Sequence, residues 1–127
     1  MSTNNQPDLG NGKICYLVIP AVDISQSATF YETVFEWRVR TRDDGSIAFD
    51  DGVGQVSGTW VTGLPPHTHF GVLIYIMVTD INITMKLIEE HGGKITKTVG
   101  KDYPEITAEF EDPAGNLFGL YQEPSMA

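Results

Sequence analysis

The sequence predicts an α+β fold made of two tandem β-α-β-β-β modules, and three observations carry that prediction. The stretch Phe49–Trp60 returns sixty-one residues later as Phe110–Tyr121, keeping Phe49 with Phe110, Asp51 with Asp112, Gly54 with Gly115 and Gly58 with Gly119. A second match runs at an offset of fifty-seven and pairs Ile19 with Ile76, Asp23 with Asp80, Ile24 with Ile81 and Glu32 with Glu89. Self-similarity over a whole unit marks one supersecondary structure used twice. Finally, each copy opens on a nearly continuous apolar run, Ile14–Ile19 and Val72–Val78, followed by apolar residues at helical spacing. The growth of the offset from fifty-seven to sixty-one puts four extra residues in the second copy, in the loop around Gly100–Pro104.

In chain order, residues 1–13 are polar, with Asn, Gln, Pro and Gly, and read as a flexible lead-in. The first module spans 14–62. Its opening run argues for a strand covered on both faces, which Pro20 confines to its end or to a sheet edge. Asp23 and Ser25 are N-cap candidates for a helix whose Ala28, Tyr31, Val34 and Phe35 share one face. Trp37–Thr41, Ile47–Phe49 and Val56–Thr62 follow as strands, with Asp43-Asp44-Gly45 a tight turn.

Residues 63–71 form a linker stiffened by Pro65-Pro66, and the second module spans 72–123. Its helix covers Ile81–His91 and stops at Gly92-Gly93. Lys94–Val99, Ile106–Phe110 and Leu117–Tyr121 complete the strands. Glycine inside a strand marks a bulge or a close approach to the backbone, so Gly58 and Gly119 point to positions where something packs tightly, a ligand among the candidates.

The chain has 127 residues, enough for one domain with a substantial core, and its 41% hydrophobic and 20% charged residues are ordinary for a globular protein. Seventeen acidic against eight basic residues give a formal charge of -9, and the basic residues form no evident run, so nucleic acid is not an expected partner. One cysteine, the absence of a signal-like start and the absence of an apolar stretch of about 18 residues lead to the expectation of a cytoplasmic protein with no membrane contact.

The paired Val22-Asp23 and Thr79-Asp80 openings, Phe30-Tyr31-Glu32-Thr33-Val34-Phe35-Glu36-Trp37, Gly92-Gly93-Lys94 and the closing Asp112-Pro113-Ala114-Gly115-Asn116-Leu117-Phe118-Gly119-Leu120-Tyr121 resemble the vicinal oxygen chelate superfamily. That group includes glyoxalase I, bleomycin-resistance proteins and extradiol dioxygenases. The resemblance covers roughly residues 13–123 and implies a curved mixed sheet around a cleft, the glyoxalase/bleomycin-resistance fold, in a homodimer. It also implies metal-ligand positions at Tyr16, Gly58, Leu73 and Gly119, which lack the His, Gln or Glu side chains that hold the divalent cation in metal-using members. The expectation is therefore a site with no metal and no cofactor.

Strand alternation then predicts what lines the cleft. Tyr16, Val18, Val56, Gly58, Trp60, Leu73, Tyr75, Met77, Leu117, Gly119 and Tyr121 are expected to face it, with Leu17, Ile19, Ile74, Ile76, Val78, Phe118 and Leu120 under the helices. Aromatics with polar edges beside two glycines suit a flat apolar or aromatic small molecule; equally, these rings fill a core or a dimer contact of the same composition.

Other candidates read as structural. His67 and His69 have no carboxylate or cysteine beside them to complete a metal site. His91 closes a helix. Glu105, Glu109 and Glu111 alternate, either as the solvated face of an edge strand or as sources of a general base. Asp50-Asp51 and Glu111-Asp112 belong to turns, and Cys15 has the parity of a buried, inert thiol. The leading function is small-molecule binding without a metal. The alternatives are a glyoxalase-like lyase or isomerase or a dioxygenase-type enzyme with metal ligands elsewhere, and a non-catalytic interaction module with a filled cleft.

Overall fold

The chain forms the strands and helices in the expected order, starting with β1 (Tyr16–Pro20), α1 (Ile24–Phe35), β2 (Arg38–Thr41), β3 (Ile47–Asp50) and β4 (Ser57–Val61). The second module repeats the series as β5 (Tyr75–Val78), α2 (Ile81–Glu90), β6 (Lys94–Lys97), β7 (Thr107–Glu111) and β8 (Leu117–Gln122). This computed structural model describes residues 6–11, 13–69 and 71–124. Much of the predicted flexible lead-in, residues 1–5 and 12, therefore lies outside the described residues. Its described part is tethered: the Asp8 amide donates to Gln55 Oε1 at 3.0 Å, and Lys13 Nζ donates to the Asp8 carbonyl at 2.8 Å.

Each helix starts at the aspartate the sequence offers. Asp23 accepts from the Gln26 amide at 3.1 Å, and Asp80 accepts from the amides of Asn82 and Ile83, both at 3.1 Å. Caps of this kind hold a helix start by about 1 kcal/mol each. The first helix begins at Ile24 because Asp23 rather than Ser25 supplies the cap. At its end Glu36 takes a left-handed conformation, φ 59°, that turns the chain back on itself. Trp37 thereby stacks on Tyr31, ring centroids 4.5 Å apart.

The strands make two four-stranded mixed sheets with the same connectivity, β1-β4-β3-β2 and β5-β8-β7-β6. In each, the first strand runs parallel to the last and the remaining pairs are antiparallel. Nine residues join β6 to β7 where five join β2 to β3, which is the four-residue excess read from the offsets. The connection between modules runs on past the predicted linker, since β5 begins at Tyr75 and Leu73 precedes it.

One core serves both modules. Phe30 of α1 packs on Phe110 of β7 at 6.1 Å, and Tyr31 meets Trp60 of β4 at 5.8 Å and Phe118 of β8 at 5.9 Å. α1 also contacts α2, which covers β6, β7 and β8. The helix-bearing faces of both sheets thus share one interior.

Hydrogen bonds hold the modules together at their seam. The Tyr31 hydroxyl donates to Asp112 Oδ2 at 2.8 Å, while Asn116 Nδ2 donates to the same oxygen at 2.9 Å and to the Pro20 carbonyl at 2.7 Å. Asp112 Oδ1 accepts from the amides of Ala114 and Asn116, both at 2.9 Å. The linker joins in, the His67 amide donating to Asn116 Oδ1 at 2.8 Å.

Candidate binding faces of the two sheets

The pairing register sets which side chains share a face of each sheet. In the second sheet Tyr75 stands opposite Gly119, Met77 opposite Tyr121, and Thr107 and Glu109 opposite Tyr121 and Gly119. Cross-strand partners share a face, so the open face of this sheet carries Tyr75, Met77, Thr107, Glu109, Gly119 and Tyr121. Tyr75 is 47% and Met77 57% exposed. With Thr107 and Tyr121 they line a shallow depression of about 390 Å³. The Tyr121 hydroxyl donates to Glu123 Oε2 at 3.0 Å, and that bond and burial raise its pKa. Leu117 has the predicted parity but is buried beside the linker, its amide donating to the His67 carbonyl at 2.6 Å.

Gly119 explains itself. A Cβ built there would lie 2.5 Å from the Tyr75 ring, so the close approach its glycine permits is made by Tyr75 of the neighbouring strand.

In the first sheet Tyr16 pairs with Ser57 and Val18 with Thr59, while Leu17 pairs with Gly58 and Ile19 with Trp60. Tyr16 and Val18 do occupy the open face, 44% and 52% exposed. Gly58 and Trp60 face the core instead, which corrects the sequence expectation. Trp60 is 2% exposed, packed on Phe49 at 4.7 Å, and a Cβ on Gly58 would strike the Phe49 ring and the Leu17 carbonyl at 2.3 Å.

The reason is a one-residue difference in turn length. In the second hairpin the Asp112 amide bonds the Asn116 carbonyl; in the first, the Asp51 amide bonds the Val56 carbonyl, one residue further on. Phe110 therefore faces Phe118, whereas Phe49 faces Gly58. Past the turn the true counterpart of Gly119 is Thr59, and a slip of one residue moves every side chain to the opposite face. Val56 belongs to that turn rather than to β4.

The open face of the first sheet is consequently Tyr16, Val18, Ser57, Thr59, Ala48 and Asp50, bordered by Arg38 and Arg40 of β2. Arg40 donates to both oxygens of Asp50 at 3.0 Å, and Ser57 Oγ donates to Asp50 Oδ1 at 2.7 Å. The Arg40 guanidinium holds the Asp50 carboxyl below its ordinary range. Arg42 reaches in from beyond β2 to donate to the Tyr16 hydroxyl. Arg38, Arg40 and Arg42 thus gather on one face, a concentration the even spread of basic residues in composition conceals.

The remaining candidates fall into place. Cys15 lies just ahead of β1 and is exposed, not buried, because the strand whose parity would bury it starts one residue later. β7 is interior to its sheet, between β6 and β8, so Glu109 and Glu111 do not lie on an edge strand. Lys97 Nζ sits 3.8 Å from Glu109 and donates to Asp102 Oδ1 at 2.9 Å. His91 ends α2, its Nδ1 2.8 Å from the Leu87 carbonyl.

The metal positions implied by the resemblance do not fit a cation. Gly119 has no side chain and lies under Tyr75, Thr59 Oγ1 is committed to the Ile47 carbonyl at 2.7 Å, and Leu73 has no donor. Tyr16 is held by a guanidinium, which repels a cation. Among the described residues no three His, Cys, Asp or Glu side chains come together to hold a metal.

A family model described as glyoxalase/bleomycin resistance protein/dioxygenase superfamily matches residues 13–120. The chain belongs to this superfamily. A glyoxylase-like domain-containing protein of Didymella fabae is 26% identical over 131 residues, covering 90% of this chain and 96% of that protein.

Solved structures share the fold at low identity. TnmS3, an antibiotic-binding protein from Streptomyces sp. CB03234, gives a TM-score of 0.66 at 17% identity, covering 91% of this chain and 98% of its own. FosX, a fosfomycin resistance protein from Listeria monocytogenes, gives 0.69 at 15% identity, covering 88% and 91%. A superfamily enzyme from Burkholderia phytofirmans PsJN gives 0.69 at 17% identity, covering 84% and 95%. Among the described residues no helix is long and apolar enough to cross a membrane.

Proposed function

We propose that this superfamily member binds a flat apolar or aromatic small molecule on the open faces of its sheets, without the metal used elsewhere in the superfamily. The observation that carries this reading is the exposure of Tyr16, Val18, Tyr75 and Met77, at 44 to 57%. Their strands are written as continuous apolar runs, the pattern of strands covered on both faces, and the chain covers only one. An apolar face of this kind, with tyrosine hydroxyls at its rim, gives stacking area and orientation to a ring system. The description of TnmS3 as antibiotic-binding is consistent with such a use of the fold.

The same observation supports a homodimer. β1 and β5 are each paired on one side only and carry the exposed residues. A second copy laid along these edges would add a wall to an open face and turn it into a cleft.

Thermal shift tests the reading, because a ligand that prefers the native state raises its stability. Metal-stripped protein is titrated with a panel of flat aromatic compounds and, separately, with Zn²⁺, Ni²⁺, Mn²⁺ and Fe²⁺. Stabilisation by aromatics alone is expected. Stabilisation by a metal alone would transfer the protein to the enzymatic reading.

A further inference from the structure

Resting on that reading, we propose that the open face of the first sheet selects anions: its ligand is a flat aromatic molecule bearing a carboxylate, sulfonate or phosphate, with the acid on Arg42 and Arg38 and the ring against Tyr16 and Val18. The protein as a whole carries a formal charge of -9, yet three of its eight basic residues alternate along five positions of one strand and its exit. Alternation places all three on the same side; the register of Arg38 and Arg40 and the contact of Arg42 with Tyr16 make it the open side.

Two of the nearby carboxylates are already occupied. Asp50 is held through both oxygens by Arg40 and again by Ser57. Asp44, the acid beside Arg42, accepts from the Ser46 amide at 2.9 Å and its hydroxyl at 2.7 Å. Arg38 and Arg42 form no salt bridge among the described residues.

Edge strands often carry charges simply to discourage pairing with other chains, and β2 is an edge. A guanidinium serving only that purpose extends into water. Arg42 does the opposite: it turns across the sheet to the hydroxyl of Tyr16 on the far edge strand, its Cζ 5.9 Å from the ring centroid. Aromatic ring, guanidinium and hydroxyl are thereby preassembled beside Val18 and Thr59 of the same face. A guanidinium presents a fork of donors suited to an acid group, and its immobilisation by Tyr16 lowers the ordering cost of using it.

Two fluorescent probes with the same rings separate the charge from the rings: 8-anilinonaphthalene-1-sulfonate and uncharged N-phenyl-1-naphthylamine. The sulfonate is expected to bind at least about tenfold tighter, the scale of a charge-assisted hydrogen-bonded contact. Arg42→Gln, at a half-buried position, and Arg38→Gln, at an exposed one, both checked for folding by circular dichroism, should each shrink that preference, read as the ratio of the two probes' affinities for the same variant. Equal binding of the two probes, or a preference that survives both substitutions, would overturn anion selectivity while leaving small-molecule binding standing. Failure of both probes to bind would overturn the two readings together.

Discussion

The Tyr31 hydroxyl and the Asp112 carboxylate, 2.8 Å apart and both buried, join the helix of one module to the closing turn of the other. The Asp-Pro-Ala-Gly-Asn sequence is therefore more than a turn. One Asp112 oxygen folds the hairpin through the amides of Ala114 and Asn116, and the other receives Tyr31 and Asn116. Every strong acceptor site on the carboxylate is filled, as a buried charge requires.

Tyr31→Phe removes one donor to that carboxylate and leaves the packing on Trp37 and Phe118 intact. A buried hydrogen bond to a charged group is worth about 1.5 to 3 kcal/mol, and a loss in that range is expected in denaturant titration. A change below about 0.5 kcal/mol, the level of an indifferent surface substitution, would mean that the bond does not couple the modules.

The pH dependence follows from the direction of the Asp112 shift. Burial raises its pKa, an effect opposed by the bonds from Asn116, Tyr31 and Ala114. A carboxyl with a raised folded pKa contributes stability fully present below its unfolded pKa and lost as the pH rises through the folded one. The stability difference between wild type and Asp112→Asn should therefore shift against wild type as the pH rises from below the ordinary aspartate range. A difference that is flat with pH, or that shifts toward wild type, would contradict a raised pKa.

Gly58 and Gly119 occupy matching positions in sequence but answer differently to alanine. At Gly58 the new methyl meets backbone, the Leu17 carbonyl, and the core ring of Phe49, neither of which can withdraw. Gly58→Ala should cost upwards of about 2 kcal/mol, as overpacking of a rigid core does. At Gly119 its nearest neighbours are atoms of the half-exposed Tyr75 ring, which can swing into solvent. Gly119→Ala should fold with a smaller loss and change ligand binding instead. Equal losses in thermal melts would contradict the two different environments.

Trp60→Ala acts on stability rather than directly on a ligand. Trp60 lies between Phe49 and Tyr31 in the core, and emptying such a position costs about 3 to 5 kcal/mol. Its indole Nε1 is buried and has no hydrogen-bond partner among the described residues. Trp60→Phe should accordingly be far milder than Trp60→Ala, since it removes that unsatisfied donor and keeps most of the ring. Comparable losses in the two variants would contradict this.

These contrasts also show how far the residues alone could be read. Strand order, helix caps and the extra loop residues were legible because periodicity, aspartate caps and repeat offsets are local signals. In the second module parity placed Tyr75, Met77 and Tyr121 on the open face. In the first, an ungapped match across the hairpin hides one extra turn residue, so parity carries Gly58 and Trp60 to the wrong side and Val56 into a strand it does not join. The signal that reveals it is the turn itself, four residues between Asp51 and Val56 against three between Asp112 and Asn116. The arrangement of the modules was out of reach, because contacts such as Phe30 with Phe110 join residues far apart in sequence and leave no periodic trace. The Arg42–Tyr16 contact was hidden in the same way, joining opposite edges of one sheet.

The most direct test of the central claim is an amide-resolved NMR titration of ¹⁵N-labelled protein with 8-anilinonaphthalene-1-sulfonate. Saturable shifts at Tyr16, Val18, Thr59 and Arg42, with Phe110 and Ile88 of the shared core unmoved, are the predicted result. Shifts confined to the core or to the linker, or no saturable shift at all, would contradict a binding site on the open face.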